Sequence, residues 1–220
     1  MDFWRQWDLL TPDDWIYPCL LAGAGGLGSW IALLLAKMGC PKLYLYDFDR
    51  VEEHNLPNQY YPLHSVGRLK AEMLAEQIAA QSESVCFPSP EPFPPANGKT
   101  PENTIWIVTV DSMAERNKIW QHAADRFRKP PFYIDVRMGG QVCRLYAIRP
   151  GDPLDVRFYQ QHCYDDHQAE ELPCTAQGIG YTGFLAAALV GSQIKKFLRG
   201  ESFRREIVFD MHTLSLLAAD

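Results

Sequence analysis

The stretch CLLAGAGGLGSWIALLLAKMGCPKLYLYDFD, residues 19–49, decides the fold. An apolar run ends in the glycine-rich turn 23–28, an apolar helical pattern follows, and a second apolar run leads to Asp47. This order predicts a strand, a glycine turn, a helix and a second, parallel strand. The glycines of such a unit permit a tight turn, close approach of the backbone to a phosphate, and close packing of the helix. Asp47 lies nineteen residues after Gly28, where a carboxylate can meet a ribose hydroxyl. The stretch therefore predicts nucleotide binding, although a glycine turn can also serve packing alone.

The composition predicts an ordinary globular protein. The chain has 220 residues with 47% hydrophobic and 22% charged side chains, and its net charge is −6. This acidic balance argues against a general nucleic-acid binder and against attraction to acidic membranes. No run of eighteen apolar residues and no basic leader is present, so we expect a cytoplasmic protein. The six cysteines form no CxxC pair, so neither zinc nor a disulfide framework is expected.

The rest of the chain predicts an α/β fold with a Rossmann-like, doubly wound mixed sheet. Further helices are predicted at 65–81, 113–127 and 176–198, and further strands at 104–110, 132–136, 142–148 and 206–210. The pair Gly139-Gly140 joins two of these strands without a helix, which indicates an antiparallel C-terminal part after a parallel N-terminal part. Residues 88–103 are a proline-rich surface excursion, and residues 150–173 are expected to be irregular. We expect one domain over 1–220, with a nucleotide-binding half at 17–136 and a C-terminal half at 137–220.

Three acids follow predicted parallel strands: Asp47, Asp49 and Asp111. Carboxylates at this edge of an open sheet can hold ribose hydroxyls, or Mg²⁺ together with phosphate oxygens. Asp111 has an alternative role, because it precedes the predicted helix 113–127 and can act as its N-cap.

Two cations and one thiol are further candidates. Arg68 and Lys70 can neutralise phosphates, although the same side chains are also compatible with a solvated helix face. Cys174 stands in the turn that opens the predicted helix 176–198, and a helix N-terminus favours the nucleophilic thiolate. A buried structural cysteine is the alternative.

Five motifs in order resemble the ThiF/MoeB/HesA family, the adenylating enzymes related to ubiquitin-activating enzymes, in its minimal, stand-alone bacterial type. They are GAGGLGS (23–29), YDFDRVEEHNLPNQ (46–59), VGRLKAE (66–72), VTVDSMAER (108–116) and PCTAQGIGYTG (173–183). The motifs cover most of residues 5–200. Members of this family adenylate the C-terminus of ubiquitin or of ubiquitin-like sulfur carriers, including those that serve thiamine and molybdopterin synthesis.

The resemblance implies an ATP-dependent activating enzyme with Mg²⁺ and a small carrier protein whose C-terminal tail is exposed. It also implies a homodimer in which Arg5 reaches the ATP of the partner. We expect the aromatic residues Trp4, Trp7 and Trp15 to anchor this exchange. Cys174 would carry the activated tail as a thioester, and Asp111 would hold Mg²⁺. The nucleotide would contact the following residues: Gly23, Gly25, Gly26, Gly28, Asp47, Asp49, Asn55, Gln59, Arg68 and Lys70.

This chain departs from the family pattern at two points. Asn58 stands where the family usually has an arginine, and the two CxxC pairs that bind zinc in many members are absent. The first departure keeps open a catalytically degenerate, nucleotide-binding scaffold subunit. An NAD-dependent oxidoreductase is the other alternative, since it shares the glycine fingerprint. The identity of the carrier and the choice between sulfur transfer and protein conjugation are not encoded in these motifs.

Overall fold

The computed structural model describes residues 1–125, 127, 129–165 and 178–219. Its strands are β1 (Cys19–Ala22), β2 (Lys42–Tyr46), β3 (Val85–Ser89), β4 (Ile105–Val108), β5 (Tyr133–Gly139), β6 (Val142–Ile148), β7 (Glu206–Asp210) and β8 (Ser215–Ala219). Its helices are α1 (Gly28–Lys37), α2 (Lys70–Ala79), α3 (Met113–Asp125), α4 (Pro153–Gln160) and α5 (Gly180–Leu198).

The strands form one sheet in the order β3-β2-β1-β4-β5-β6-β7-β8. Pairing is parallel from β3 through β5 and antiparallel from β5 through β8. The predicted mixed α/β fold is therefore confirmed. The strand order reverses between β1 and β4, and open sheets of this kind bind ligands outside the carboxyl ends of such strands.

Helices cover both faces of the sheet. Alternate residues of β1 point to opposite faces, so Leu21 packs with α1, α2 and α5 whereas Leu20 packs with α3 and α4. The first core contains Ile31, Met73 and Val190, and the second is rich in aromatic rings. None of the described helices is both long and apolar enough to cross a bilayer.

Two predicted helices begin later than the sequence indicated. The helix predicted from residue 65 begins at Lys70, because Gly67 has a φ of +85° and Leu69 is extended. The helix predicted from residue 176 begins at Gly180, after the extended residue Ile179. Lys70 is therefore the first residue of α2.

Three elements were not predicted. β3 includes Pro88, which the sheet tolerates because β3 is its edge strand and one side of it needs no hydrogen-bond donor. α4 lies within the segment expected to be irregular, where the Asp152 side chain accepts a hydrogen bond from the Leu154 N–H at 2.8 Å. β8 extends the sheet beyond β7, and all five of its residues are exposed.

Candidate functional site

The glycine turn is held against the end of β4. Gly23 has a φ of +96°, and Thr109 Oγ1 donates to the Gly23 carbonyl at 2.8 Å. A Cβ on Gly28 would lie 2.0 Å from the Gly23 carbonyl oxygen and 2.8 Å from Thr109 Oγ1. Only glycine fits position 28, because real Cβ atoms do not approach backbone so closely. Two of the four predicted glycines thus shape the turn itself.

The other two glycines leave space open. A Cβ on Gly25 would have no neighbour nearer than the Gln59 side-chain nitrogen at 4.0 Å, and one on Gly26 would lie 3.5 Å from Met138. Within the described chain, the backbone N–H groups of residues 25–28 donate to no acceptor. Unpaired N–H groups at the N-terminus of α1 form an anion site, which the helix dipole strengthens.

Asp47 fixes this turn to the end of β2. Its Oδ2 accepts from the Ala24 N–H at 2.6 Å, and its Oδ1 accepts from the Asp49 N–H at 2.8 Å. Burial raises the pKa of Asp47, and these two hydrogen bonds oppose that shift. Both carboxylate oxygens are therefore already engaged by the protein.

Asp49 is the more available of the two acids. Its side chain is 53% exposed, and Lys70 Nζ donates to its Oδ2 at 2.9 Å. The other oxygen, Oδ1, has no partner within the described residues. Lys70 is buried, and its ammonium is held beside Asp49 by this pair and by its backbone bond to the Asp49 carbonyl.

Arg68 lies on an exposed surface. Its guanidinium bonds Glu76, with 3.0 Å between Nη1 and Oε2. This contact corresponds to the solvated-face alternative, and the structure gives Arg68 no contact with the glycine turn.

Three amide side chains come from the segment that follows β2, and two of these residues, Asn58 and Gln59, lie beside the glycine turn. Asn55 is buried, and its Oδ1 accepts from the Glu52 N–H at 3.0 Å. Asn58 Oδ1 and Gln59 Oε1 are buried without any hydrogen-bond partner among the described residues. A buried polar atom without a partner costs about 1–3 kcal/mol, so such a pair beside a glycine turn points to a polar ligand.

Asp111 is exposed, and its side chain has no partner within the described chain. Its alternative role as a helix cap belongs instead to Ser112, whose hydroxyl accepts from the Glu115 N–H at 3.3 Å. A single free carboxylate at a strand end suits Mg²⁺, which in nucleotide sites takes one or two carboxylates plus phosphate oxygens. Among the described residues no group of three His, Cys, Asp or Glu side chains forms a metal cluster.

Arg5 lies far from the glycine turn of its own chain. It is exposed in the short turn Trp4–Gln6, and Gln6 Nε2 donates to the Met38 carbonyl at 3.1 Å, just past the C-terminal end of α1. The glycine turn stands at the other end of α1, ten residues or roughly 15 Å away. Trp15 is buried and donates to the same carbonyl, whereas Trp4 and Trp7 are 76% and 51% exposed.

Cys174 lies outside the described residues. The five described cysteines are free thiols. Burial raises the pKa of Cys143 to about 12 and that of Cys86 to about 11, so these two thiols are poor nucleophiles.

An ionic cluster behind the site was missed by the sequence reasoning. Asp135, which is fully buried, contacts Arg116 and accepts from Arg137 Nε and the Tyr159 hydroxyl, each at 2.8 Å. The two guanidinium groups hold the pKa of Asp135 below its usual value in spite of burial. The signal in the sequence was Asp-Val-Arg within an apolar strand, since two charges at i and i+2 share one face.

Comparison with known proteins places these features in a family context. A model described as the ThiF family matches residues 17–217. The chain is 33% identical over 67 residues to "Ubiquitin-like modifier-activating enzyme 5" of Drosophila grimshawi, which is 30% of this chain and 17% of that protein. It is 42% identical over 59 residues to "tRNA threonylcarbamoyladenosine dehydratase" of Escherichia coli K12, 26% of this chain and 22% of the relative. The chain thus spans a small part of these relatives.

Solved structures share the fold over almost the whole chain. The crystal structure of E. coli MccB with ATP has a TM-score of 0.72 at 19% identity, and the match covers 95% of this chain and 65% of that one. PaaA has a TM-score of 0.73 at 19% identity, with the same coverage.

Proposed function

Because this chain belongs to the ThiF family, a family of adenylating enzymes for ubiquitin-like and sulfur-carrier proteins, we propose that it uses ATP to adenylate the C-terminal carboxylate of such a carrier. The observation that carries the proposal is the set of unpaired N–H groups at residues 25–28, bordered by Asn58 and Gln59. Free donors and a helix N-terminus suit a nucleotide phosphate. The structure described as E. coli MccB with ATP supports the same choice of nucleotide.

In this proposal the carboxylate of the carrier attacks the α-phosphate of ATP and pyrophosphate leaves. Catalysis then consists of positioning and of neutralising phosphate charge. The N–H groups of the turn and Lys70 hold the phosphates, and Asn55 and Gln59 border them. Mg²⁺ bound through Asp111 would supply further positive charge at the phosphates.

Asp49 is the better candidate for the ribose hydroxyls than Asp47. Within the described residues Asp49 Oδ1 accepts no hydrogen bond, whereas each oxygen of Asp47 already accepts one from a backbone N–H group. Substitution of Asp47 and of Asp49 in separate variants distinguishes the two assignments.

The charge balance of the site supports a homodimer. Lys70 is paired with Asp49, and Arg68 with Glu76, so carboxylates of the same chain already offset part of the charge of these two candidate cations. ATP then needs positive charge from elsewhere. Arg5, exposed at the far end of α1, is proposed to supply it to the partner subunit, with Trp4 and Trp7 in the contact. We propose that this dimer works in the cytoplasm.

Cys174 is proposed to displace AMP from the acyl-adenylate and to carry the tail as a thioester. The second candidate function is a scaffold subunit that binds a nucleotide without turning it over. The neutral Asn58, in place of a cation, favours that alternative.

Exchange of labelled pyrophosphate into ATP tests these functions together. The assay uses Mg²⁺, ATP and a small carrier protein ending in Gly-Gly, with the same carrier lacking its last residue as control. Exchange that depends on the intact tail supports adenylation. ATP binding without exchange supports the scaffold, and NADH binding without ATP binding supports an oxidoreductase.

A further inference from the structure

Asp111 lies in a short link whose two ends are fixed. On one side the Thr109 N–H donates to the Ala22 carbonyl at 2.9 Å, and its hydroxyl donates to Gly23. On the other side Ser112 caps α3. The Asp111 side chain has no partner within the described residues, so the direction of its carboxylate depends on the backbone of this link.

Two further contacts restrain the link: the Val110 side chain packs against the aromatic core, and an arginine side chain bonds the backbone. Arg116 Nη2 donates to the carbonyl of Val110, the residue immediately before Asp111. Arg116 is itself held in place, because it is only 4% exposed, its Nη1 contacts Asp135, and its backbone N–H donates to the Ser112 carbonyl at 3.1 Å. One guanidinium therefore connects α3, the end of β4 and the centre of β5.

One arginine, Arg137, is enough to balance the charge of Asp135, so Arg116 is not needed for that purpose. Arg137 Nε already bonds Asp135 at 2.8 Å, and the Tyr159 hydroxyl donates to the same oxygen. Adding Arg116 leaves a net positive charge in the interior, which is unfavourable on its own. Its distinguishing contact is the Val110 carbonyl, and only the planar fork of a guanidinium reaches both acceptors at once.

We propose that Arg116 is a positioning residue that sets the direction of Asp111 for the metal–nucleotide complex. The inference rests on the proposed function, in which Asp111 binds Mg²⁺ held by ATP. Arg116 acts through the Val110 carbonyl and touches neither the metal nor the nucleotide.

The test compares two matched variants, Arg116→Lys and Arg137→Lys. Each keeps its positive charge beside Asp135, but only the first loses the donor to Val110. Calorimetry measures the affinity for ATP with Mg²⁺ and with excess EDTA, and thermal melting gives the stability of each variant. We expect Arg116→Lys to weaken Mg²⁺-dependent binding by about tenfold, the usual effect of removing a group that supports a metal ligand. Binding without metal should stay unchanged, and Arg137→Lys should leave both affinities unchanged.

Several results would overturn the inference. An equal loss of ATP affinity in both variants, or an equal loss with and without Mg²⁺, would show that Arg116 only stabilises the core. Arg116→Gln, which keeps one donor group, is the second variant; failure of both Arg116 variants to fold would lead to the same conclusion. Wild-type protein that binds no ATP with Mg²⁺ would defeat the proposed function as well. Normal wild-type binding with an unchanged Arg116→Lys would defeat the positioning role alone.

Discussion

Separate substitutions of Gly25 and Gly28 should have different effects: the first should weaken ATP binding, and the second should destabilise the fold. At Gly25 an added Cβ has no atom nearer than 4.0 Å, and the residue does not have a positive φ. Gly25→Ala should therefore fold normally and can gain about 0.4–1 kcal/mol from reduced freedom of the unfolded chain. At Gly28 the Cβ would lie 2.0 Å from the Gly23 carbonyl oxygen, so the backbone must shift.

The two substitutions should change different free energies, that of folding for Gly28 and that of ATP binding for Gly25. Gly28→Ala should lose about 1–3 kcal/mol or more of folding free energy, as for overpacking elsewhere. For a chain of this size each kcal/mol lowers the melting temperature by about 2–4 °C. Gly25→Ala instead places a methyl group where a phosphate would meet the free N–H groups. It should cost about 1.5–3 kcal/mol of ATP binding, the value of a hydrogen bond to a charged group, or about ten- to a hundredfold in Kd.

Thermal melting and calorimetric titration with ATP measure the two quantities on the same samples. Titrations should be made well below the melting temperature of Gly28→Ala, so that loss of binding is not loss of fold. A Gly25→Ala protein that binds ATP as tightly as wild type would refute the assignment of this turn to the phosphates. A Gly28→Ala protein with unchanged melting would show that the turn relaxes freely.

Three further predictions concern individual side chains. Asp49→Ala should weaken ATP binding by about 1–3 kcal/mol, whereas Asp47→Ala should chiefly lower the melting temperature because it frees the glycine turn; the reverse pattern in titration and melting would assign the ribose to Asp47. Mixing Arg5→Ala with Asp111→Ala subunits should restore part of the pyrophosphate exchange, since one mixed site then has both groups; no recovery after confirmed subunit exchange would exclude Arg5 from the site of the partner. Cys174→Ala should keep the exchange but lose a reducible covalent complex with the carrier on a non-reducing gel; if wild-type protein forms no such complex, the thiol is structural.

The first βαβ unit was predictable because its signals are local. The apolar runs, the glycine turn and the strand-end acid lie within residues 19–49, and β1, α1 and β2 appear in that order. The antiparallel return after β5 was predictable for the same reason, since Gly140 turns the chain with a φ of +59°. In both segments the glycines of the turn and the spacing of the apolar residues indicate the same structure.

Other elements depend on contacts that no local pattern reveals. Residues 73, 74 and 78 do have helical spacing, but Gly67 interrupts the chain before that helix begins. β8 is exposed on both faces, so its sequence has no alternation to detect. Its existence follows from pairing with β7.

The division of roles within the site also required the fold. The spacing from Gly28 predicts that Asp47 meets the ribose, and only the folded chain shows that two backbone N–H groups already bond its carboxylate. The contacts of Asp135 come from β5, α3 and α4, three elements that are separated along the chain. Arg116 is consequently visible as more than a helix residue only in the folded chain.

The most direct test of the proposed reaction follows the oxygen atoms of the carrier. A carrier protein whose C-terminal carboxylate contains heavy oxygen is incubated with the enzyme, ATP and Mg²⁺, and the AMP is analysed by mass spectrometry after the adenylate is cleaved with a thiol. Attack of the carboxylate on the α-phosphate leaves one of its oxygens in the AMP, so we expect AMP that contains one heavy oxygen. AMP without heavy oxygen, or no AMP at all with a folded, ATP-bound protein and its true carrier, would contradict adenylation.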